Sequence, residues 1–580
     1  MTLPRWNALR RLPWWLAGLA GVLIVLLGLL LAVRPFRSVG LLVLLLGIGL
    51  LVAAVVEILR APTAGRAGWW RAVLGIAGLG LGVVVLVDPG LTVLLLVILV
   101  GIVPVVSGLV DLVRALRPDA GVVERIAAGL LGLAGVLFGV GALAWPDVSV
   151  YVLGLLFGGW LVVVGVRIGL TAWWRRPRAA ARPSRARRPV ARLVGAVVVL
   201  LLAVGMTALG GRLAGTPIPD GFYRPPAAVP SAPGQLLKAE PFDRAIPAGS
   251  HAWRILYTTT RDDGVPAIAS GLVVVPDGGV DHPVIAWAHG TTGVAVGCAP
   301  SLLDDPFVAG AMPDLDAVLD AGWAIVATDY IGLGADAPHP YLVGEAEGRS
   351  VLDAVRAAAQ LADAPLGTQV AIWGHSQGGG AALWAGGLAA SYAPELDIVG
   401  VAAMAPAANL PALVDLASTS AVASILGGFL LTGFAATYPD VRFDDYVRPQ
   451  ARIVVHAMAQ RCFTDPSTLV SVLTAVAADQ PVWSRDPSSG PLAERVAENV
   501  PTLPIAAPVL LAQGLADPLI TPASQEEYVA ARCAAGQAVD YRTYPGLDHM
   551  GLVTGDSTLL PQLLDWTAAR FAGEAATPSC

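Results

Sequence analysis

The sequence predicts a two-domain membrane protein, with an all-α transmembrane domain followed by an α/β domain. Apolar residues make up 55% of the 580-residue chain, and the mean hydropathy of +0.67 is too high for a fully soluble protein. Residues before 215 carry a net charge of +15 and the remainder −21, so the two parts face different environments. Every histidine and cysteine lies in the second part. We therefore expect the chemistry there.

Seven apolar stretches in the first part are long enough to cross a bilayer. They lie at residues 14–33, 39–59, 72–87, 91–113, 126–144, 148–173 and 190–210. We expect residues 1–174 to form a six-helix domain, 175–189 a basic cytoplasmic linker and 190–210 a seventh transmembrane helix. Nucleic-acid binding is disfavoured as an explanation of the basic charge, because long apolar runs separate the arginines.

The first six spans form three similar units, which align on Pro35, Pro89 and Pro146, each between two spans. Glycines recur 14 and 7 residues before these prolines and 12 residues after them. They are Gly21, Gly75, Gly132, Gly28, Gly82, Gly139, Gly47, Gly101 and Gly158. Glycines seven apart share a helix face and permit close helix approach in lipid, so the pattern predicts three hairpins packed through glycine. This pattern resembles the HdeD (acid-resistance membrane protein) family over residues 14–174, which implies a fold more than an activity.

Arginines indicate the orientation of the spans. They cluster at 5–11, 60–71, 114–125 and 175–192, before the first span and in every second loop. Since cytoplasmic loops are enriched in arginine, these loops and the N-terminus should be cytoplasmic. The seventh span then carries the rest of the chain out of the cytoplasm. The first apolar run is long and lacks a signal-peptide cleavage motif, so it should be a span and not a signal peptide. We therefore expect a multi-pass protein of the plasma (inner) membrane.

Residues 211–234 are rich in proline and glycine and predict an extended tether. In residues 235–580, short β-like runs alternate with helical ones, which predicts a mostly parallel sheet wrapped by helices. The predicted strands are 253–260, 269–275, 284–288, 324–328, 370–373, 398–404, 509–512 and 539–544. A helical segment at about 409–501, beginning with a helix at 410–431, interrupts this alternation and predicts an inserted lid.

A G-x-S-x-G motif, GHSQG at 374–378, joins a predicted strand to a predicted helix. In that context it is typical of the nucleophile elbow of α/β-hydrolases, which exposes the hydroxyl of Ser376 on a sharp turn. The sequence therefore predicts an α/β-hydrolase domain with a helical lid.

A neutral serine hydroxyl needs a general base, and the base needs a carboxylate that orients it. In this fold the chain order is serine, acid, histidine. Asp517 and His549 follow the predicted strands 509–512 and 539–544, so we expect them to be acid and base. Asp548 and Asp465 are the alternatives for the acid.

The oxyanion that forms on an ester carbonyl needs preorganised donors. We expect the N–H of Gln377 to be one. The other should be the N–H of Thr291 or Thr292, in the loop after strand 284–288, where a threonine hydroxyl could add a third bond. His289 and His375 are expected to be packing residues.

Several ordered motifs together resemble the secretory lipase family over residues 217–572. They are FYRPP (222–226), HGTTGVAVGCAPS (289–301), TDYIGLGADAPHPYLVG (328–344), GHSQGG, GLADPLI and YPGLDHMG. The resemblance implies a lidded hydrolase of lipid esters with the triad Ser376, Asp517 and His549. Some family members carry an acidic residue in place of the Thr291-Thr292 pair.

Four cysteines, Cys298, Cys462, Cys533 and Cys580, allow three pairings or free thiols. The resemblance implies Cys298 with Cys462 and Cys533 with Cys580. No metal-ligand spacing occurs and no cofactor is expected.

The sequence thus predicts a membrane-anchored, extracytoplasmic serine lipase or esterase that acts on lipid or other esters through an acyl-enzyme. An acyltransferase or peptidase on the same scaffold is one alternative. A non-catalytic stress-response or sensing protein of the membrane is another. No oligomeric state follows from the sequence.

Overall fold

The structure is a computed structural model that describes residues 14–63, 68–118, 121–173, 188–419, 423–478 and 481–580. It divides into two units, one comprising residues up to 214 with 447–457 and 473–484, the other the remainder. The domain boundaries given above stay predictions. Most of the predicted basic linker, residues 175–187, and the arginines before residue 14 lie outside the described residues.

Among its described residues, the first unit contains seven long helices. They are α1 (Trp14–Ala32), α2 (Pro35–Arg60), α3 (Gly68–Val87), α4 (Pro89–Ala115), α5 (Val122–Ala144), α6 (Pro146–Trp173) and α7 (Arg188–Leu213). By length and composition each could cross a membrane, as the sequence predicted. Pro35, Pro89 and Pro146 begin α2, α4 and α6. Proline costs no helical hydrogen bond at this position, because the N–H that it lacks would have no acceptor within the helix.

The repeated glycines lie at close helix contacts, because a Cβ on any of the nine would come within 3.0 Å of a neighbouring helix. A Cβ on Gly21 would lie 2.8 Å from the carbonyl oxygen of Gly165, and one on Gly132 would lie 2.7 Å from that of Gly108. These contacts join α1 to α6, α2 to α3 and α4 to α5. The glycines therefore pack helices of different repeats against one another, rather than the two helices of one hairpin.

The second unit is built on a nine-stranded sheet in the order β1-β2-β3-β5-β4-β6-β7-β8-β9. The strands are β1 (Leu236–Phe242), β2 (Ser250–Thr260), β3 (Pro266–Pro276), β4 (His282–Ala288), β5 (Ala324–Ile331), β6 (Leu366–His375), β7 (Asp397–Met404), β8 (Val509–Gly514) and β9 (Val539–Tyr544). In this sheet order, all neighbouring strands from β5 to β9 are parallel, whereas β1, β2 and β3 form an antiparallel edge. The eight predicted strands are present, and β1 was missed.

Twelve further helices follow α7 in the part of the chain that the structure describes. They are α8 (Pro306–Ala309), α9 (Leu315–Asp320), α10 (Gly344–Ala358), α11 (Gln377–Tyr392), α12 (Leu410–Thr419), α13 (Ala423–Thr437), α14 (Phe443–Tyr446), α15 (Arg452–Ala459), α16 (Thr468–Ala477), α17 (Pro491–Glu498), α18 (Pro522–Ala534) and α19 (Leu559–Phe571). Helices α12 to α17 occupy the predicted lid segment between β7 and β8. The prediction of a single helix at 410–431 is wrong, because the structure has two helices in this range, α12 and α13.

Helices cover both faces of the sheet. Apolar side chains of α10, α11 and α18 pack on one face, and those of α9 and α19 pack on the other. Central strands such as β6 are buried on both faces, which explains their continuous apolar runs. Parallel strands end at the same edge of a sheet, so the loops after β6, β8 and β9 come together.

Candidate active site

Ser376 lies on the sharp turn between β6 and α11. Its backbone angles are φ +57° and ψ −120°, a conformation that non-glycine residues rarely adopt. A Cβ on Gly374 would lie 2.0 Å from the carbonyl oxygen of Gly378, and one on Gly378 would lie 1.9 Å from that of Ala288. Only glycine fits these two positions, so the motif builds the turn by close backbone packing.

The side chains of Ser376, His549 and Asp517 form a continuous hydrogen-bonded chain. His549 Nε2 lies 2.9 Å from Ser376 Oγ, and His549 Nδ1 lies 2.7 Å from Asp517 Oδ2. Asp517 is buried, and its Oδ1 accepts the N–H groups of Leu519 at 2.8 Å and Ile520 at 2.9 Å. The loop after β8 therefore fixes the carboxylate, and the carboxylate orients the imidazole toward the serine.

The two alternative acids have other partners. Asp548 is exposed, and its Oδ1 accepts the N–H of Gly551 at 2.7 Å. Asp465 Oδ2 accepts the Cys462 N–H at 3.0 Å and the Thr216 hydroxyl at 2.5 Å. Of the three carboxylates, Asp517 is the one hydrogen-bonded to His549.

His289 and His375 are buried, and burial lowers the pKa of His289 to about 4 and that of His375 to about 3. His289 Nδ1 lies 2.6 Å from the carbonyl oxygen of Gly290. His375 Nε2–H donates to the carbonyl oxygen of His549 at 3.0 Å, so this neutral imidazole holds the backbone of His549 in place.

The three residues expected at the oxyanion hole take different positions. Gln377 begins α11, where the first N–H groups have no acceptor within the helix. Thr291 lines the same pocket as Ser376, and its hydroxyl lies 2.8 Å from that of Tyr341. Thr292 is fully buried, and its hydroxyl donates to the carbonyl oxygen of Cys298 at 2.7 Å. Thr291 thus lies at the cavity, whereas the Thr292 side chain is turned toward Cys298.

Ser376 and His549 open into a cavity of about 850 Å³, within the usual size of ligand pockets. Its walls are mainly apolar, and they include lid residues Leu413 of α12 and Leu426 of α13, with Phe463 between α15 and α16. The lid thus forms part of the wall facing the serine.

Residues just beyond α7 also contribute to the cavity wall. Gly215 and Pro217 line it, although the sequence predicted an extended tether over residues 211–234. The hydroxyl of Thr216 donates to Asp465, another lining residue, and to the carbonyl oxygen of Gln460 at 3.3 Å. The start of the predicted tether is therefore part of the site.

Both disulfides implied by the resemblance are present. Cys298 is bonded to Cys462, which links the segment after Thr292 to the lid, and Cys533 of α18 is bonded to Cys580. The N–H of Phe463 adds a hydrogen bond to the Thr292 carbonyl at 2.8 Å. Within the described residues, no group of three or more His, Cys, Asp or Glu side chains could hold a metal ion.

Residues 311–579 match a family model described as "Secretory lipase". Over these residues the chain is similar to secretory lipases. Its relatives include Lipase A of Moesziomyces aphidis, which is 25% identical over 393 residues that cover 63% of this chain and 83% of that protein. A secreted triacylglycerol lipase of Malassezia globosa is 35% identical over 204 residues, covering 33% of this chain and 43% of that protein. The C-terminal part of the chain is thus similar to lipases in sequence.

One relative carries a different description. A Mycobacterium tuberculosis protein described as a probable inactive lipase is 26% identical over 390 residues, covering 62% of this chain and 84% of that protein. Among solved structures, Candida antarctica lipase A in its closed state is 20% identical with a TM-score of 0.52, covering 63% of this chain and 89% of that one. The C-terminal part of this chain therefore shares that fold.

The N-terminal part has its own match. Residues 19–87, 73–140 and 130–210 each match a family described as "Short repeat of unknown function (DUF308)". This confirms the predicted triplication and the HdeD-like resemblance of the membrane region.

Two buried carboxyls near the site were missed. Burial raises the pKa of Glu347 to about 8 and raises that of Asp329. Asp329 accepts hydrogen bonds from Ser270 and Ser301. Helical spacing could have found Glu347, because it lies four residues before Val351 on the buried face of α10.

Proposed function

We propose that this protein hydrolyses carboxylic esters of lipids through a Ser376-His549-Asp517 triad and an acyl-enzyme. The observation that carries the proposal is the unbroken hydrogen-bonded chain from Ser376 Oγ to Asp517 at the floor of an apolar cavity. Triacylglycerols and related neutral lipids are the expected substrates, since family relatives are described as triacylglycerol lipases.

In the proposed reaction, Ser376 Oγ attacks the ester carbonyl while His549 Nε2 takes its proton. The N–H groups of Gln377 and Thr291 stabilise the oxyanion. His549 returns the proton to the departing alcohol, and the acyl group stays on Ser376. A water molecule then attacks the acyl-enzyme with His549 as base, and the fatty acid leaves. Asp517 accepts from His549 Nδ1–H throughout and stabilises the imidazolium.

We further propose that the lipase domain lies outside the cytoplasm, on the outer side of the plasma (inner) membrane. The arginine pattern of the loops supports a cytoplasmic N-terminus. An odd number of spans then places the C-terminal part on the other side. The two disulfides support this location, because disulfides persist in oxidising compartments.

The test is hydrolysis of a chain-length series of p-nitrophenyl esters by the full chain in detergent micelles. Ser376→Ala should lower kcat by about 10⁴-fold or more. Ser391→Ala, near the far end of the helix that follows Ser376 and bonded to the Leu388 carbonyl, is the matched control and should keep wild-type activity. A rate maximum at long acyl chains would define a lipase, and one at short chains an esterase.

Two outcomes would contradict the proposal. If wild type and Ser376→Ala are equally inactive, the protein is non-catalytic, as the description of one relative allows. If added alcohols capture most of the acyl group while little fatty acid forms, the enzyme is an acyltransferase.

A further inference from the structure

A single carboxyl oxygen, Oε1 of Glu347, joins two segments beside the nucleophile, the loop before α10 and the turn at the start of α11. Glu347 lies in the first turn of α10 and is 2% exposed. Its Oε1 accepts Gln377 Nε2–H at 2.6 Å and the N–H of Leu342 at 2.9 Å. The reaction as proposed does not use this group. Its position between the two segments therefore calls for a separate function.

On one side, Glu347 fixes the residue that follows the nucleophile. Gln377 Nε2 also lies 3.1 Å from Nε2 of His339. Burial lowers the pKa of His339 to about 3, and its Nδ1–H donates to the Ile331 carbonyl at 2.7 Å, so its Nε2 can only accept. Both amide hydrogens of Gln377 are therefore used, which fixes the side chain beside its backbone N–H.

On the other side, Glu347 fixes the loop that supports Thr291. Leu342 has φ +60°, a conformation unfavourable for leucine that needs support from its surroundings. The preceding residue, Tyr341, is buried, and its hydroxyl lies 2.8 Å from that of Thr291. The bond to Leu342 thus holds the tyrosine that contacts the oxyanion loop.

We propose that Glu347 is a positioning residue of the oxyanion hole, holding Gln377 directly and Thr291 through Tyr341 so that their N–H groups converge on the reacting carbonyl. The inference rests on the proposed function. Glu347 acts through its neighbours, so its loss should weaken binding of the transition state more than binding of the substrate. Burial raises its pKa, which keeps the group neutral near pH 7 and makes its burial tolerable.

The test compares three variants of the full chain in detergent. Glu347→Ala should lower kcat by about 10- to 100-fold, less than full removal of an oxyanion donor, with KM changed less than about threefold. Glu347→Gln should stay within about threefold of wild type, because its amide oxygen can accept both N–H groups. The inhibition constant of a long-chain alkylboronic acid, which mimics the tetrahedral intermediate, should rise in Glu347→Ala by the factor that kcat/KM loses.

Asp353→Ala is the matched control. Asp353 is also a fully buried carboxyl on α10, but it accepts from the Tyr392 hydroxyl at 2.7 Å and from Arg356 at 2.9 Å. This variant should lower the melting temperature and leave kcat per folded molecule unchanged. If Glu347→Ala behaves in the same way, the role of Glu347 is structural only and the inference is wrong.

Two further arrangements keep the test decisive. If Glu347→Ala does not accumulate as folded protein, Gln377→Leu removes the same hydrogen bond from the other partner, and its kcat and KM are judged by the same criterion. Failure of the proposed function is seen separately, as wild-type protein without hydrolysis or as Ser376→Ala with hydrolysis.

Discussion

Asp517→Asn should remove most of the catalytic rate without removing the fold. Asparagine can keep the two loop bonds, because its Oδ1 can accept the N–H groups of Leu519 and Ile520. Its amide nitrogen then replaces Oδ2, which lies 2.7 Å from His549 Nδ1. Two donors would face each other there, so the histidine proton moves to Nε2. In that tautomer His549 cannot accept the proton of Ser376.

The size of the effect follows from this tautomer change. The same change at a triad carboxylate lowers kcat by about 10⁴-fold, which corresponds to about 5.4 kcal/mol at 1.36 kcal/mol per tenfold. The free energy of unfolding should fall by about 1–2 kcal/mol, because a hydrogen bond to a charged carboxylate is replaced by one between neutral groups. KM should change little, because the change alters the base rather than the acyl cavity.

The assay is steady-state hydrolysis of the preferred p-nitrophenyl ester. Rates are normalised to the amount of folded protein, and the melting temperature of each variant shows that it is folded under the assay conditions. Asp548→Asn is measured beside it, because Asp548 precedes His549 in the chain but binds the Gly551 N–H. We expect a loss below about tenfold from Asp548→Asn. The assignment of the acid is refuted if Asp517→Asn keeps more than about a tenth of kcat, or if Asp548→Asn shows the larger loss.

Three further predictions concern neighbouring groups. His375→Phe keeps a ring but removes the donor to the His549 carbonyl, so kcat should fall about tenfold in steady-state kinetics; an unchanged kcat would show that this bond does not position the base. Glu347 has a pKa raised to about 8, so the folded protein keeps a proton that the unfolded chain releases above about pH 4.3. The melting temperature of wild type relative to Glu347→Gln should therefore fall as the pH rises from about 5 to 8, and a constant difference would contradict this. Replacing Cys298 and Cys462 by alanine removes a cross-link over a sequence separation of 164 residues and should lower the free energy of unfolding by about 2–4 kcal/mol. Calorimetry would show this as a lower melting temperature, and an unchanged melting temperature would contradict a stabilising role of this disulfide.

The membrane helices could be predicted from hydropathy, but their ends could not. Helix α3 begins at Gly68, four residues before the apolar stretch, and α7 ends at Leu213, three residues after it. Hydropathy reports the apolar stretch, whereas a helix continues for as long as its backbone bonds are made. The helix that each glycine contacts could not be predicted either, because the repeat indicates which face of a helix makes the contact and not which helix lies against it.

Strand β1 was missed for a different reason. Its sequence, LLKAEPF, has charges and a proline where alternation would be expected, and it lies at the edge of the sheet with much of its surface exposed. Edge strands tolerate charge and proline because one side of the backbone has no partner. Periodicity therefore gives little signal there.

At the site, motif order selects the three residues that the structure brings into one hydrogen-bonded chain. It could not give the direction of the Thr292 side chain, because its hydroxyl donates to the carbonyl of Cys298, whose segment is bonded to the lid at Cys462. The role of Glu347 depends on Gln377, thirty residues away in the chain. Long-range side-chain partners of this kind leave no local pattern.

Because Gly215 and Pro217 form part of the cavity wall, they limit the position at which the protein can be truncated from its N-terminus. A protein beginning at residue 217 would lack Gly215 and also Thr216, whose hydroxyl holds Asp465. Asp465 would then lose one partner, and the adjoining lid segment at Cys462 would be held less firmly. Substrate preferences measured on such a fragment would belong to an altered cavity. The truncation point should therefore lie within α7 or earlier, even though this leaves apolar residues that require detergent.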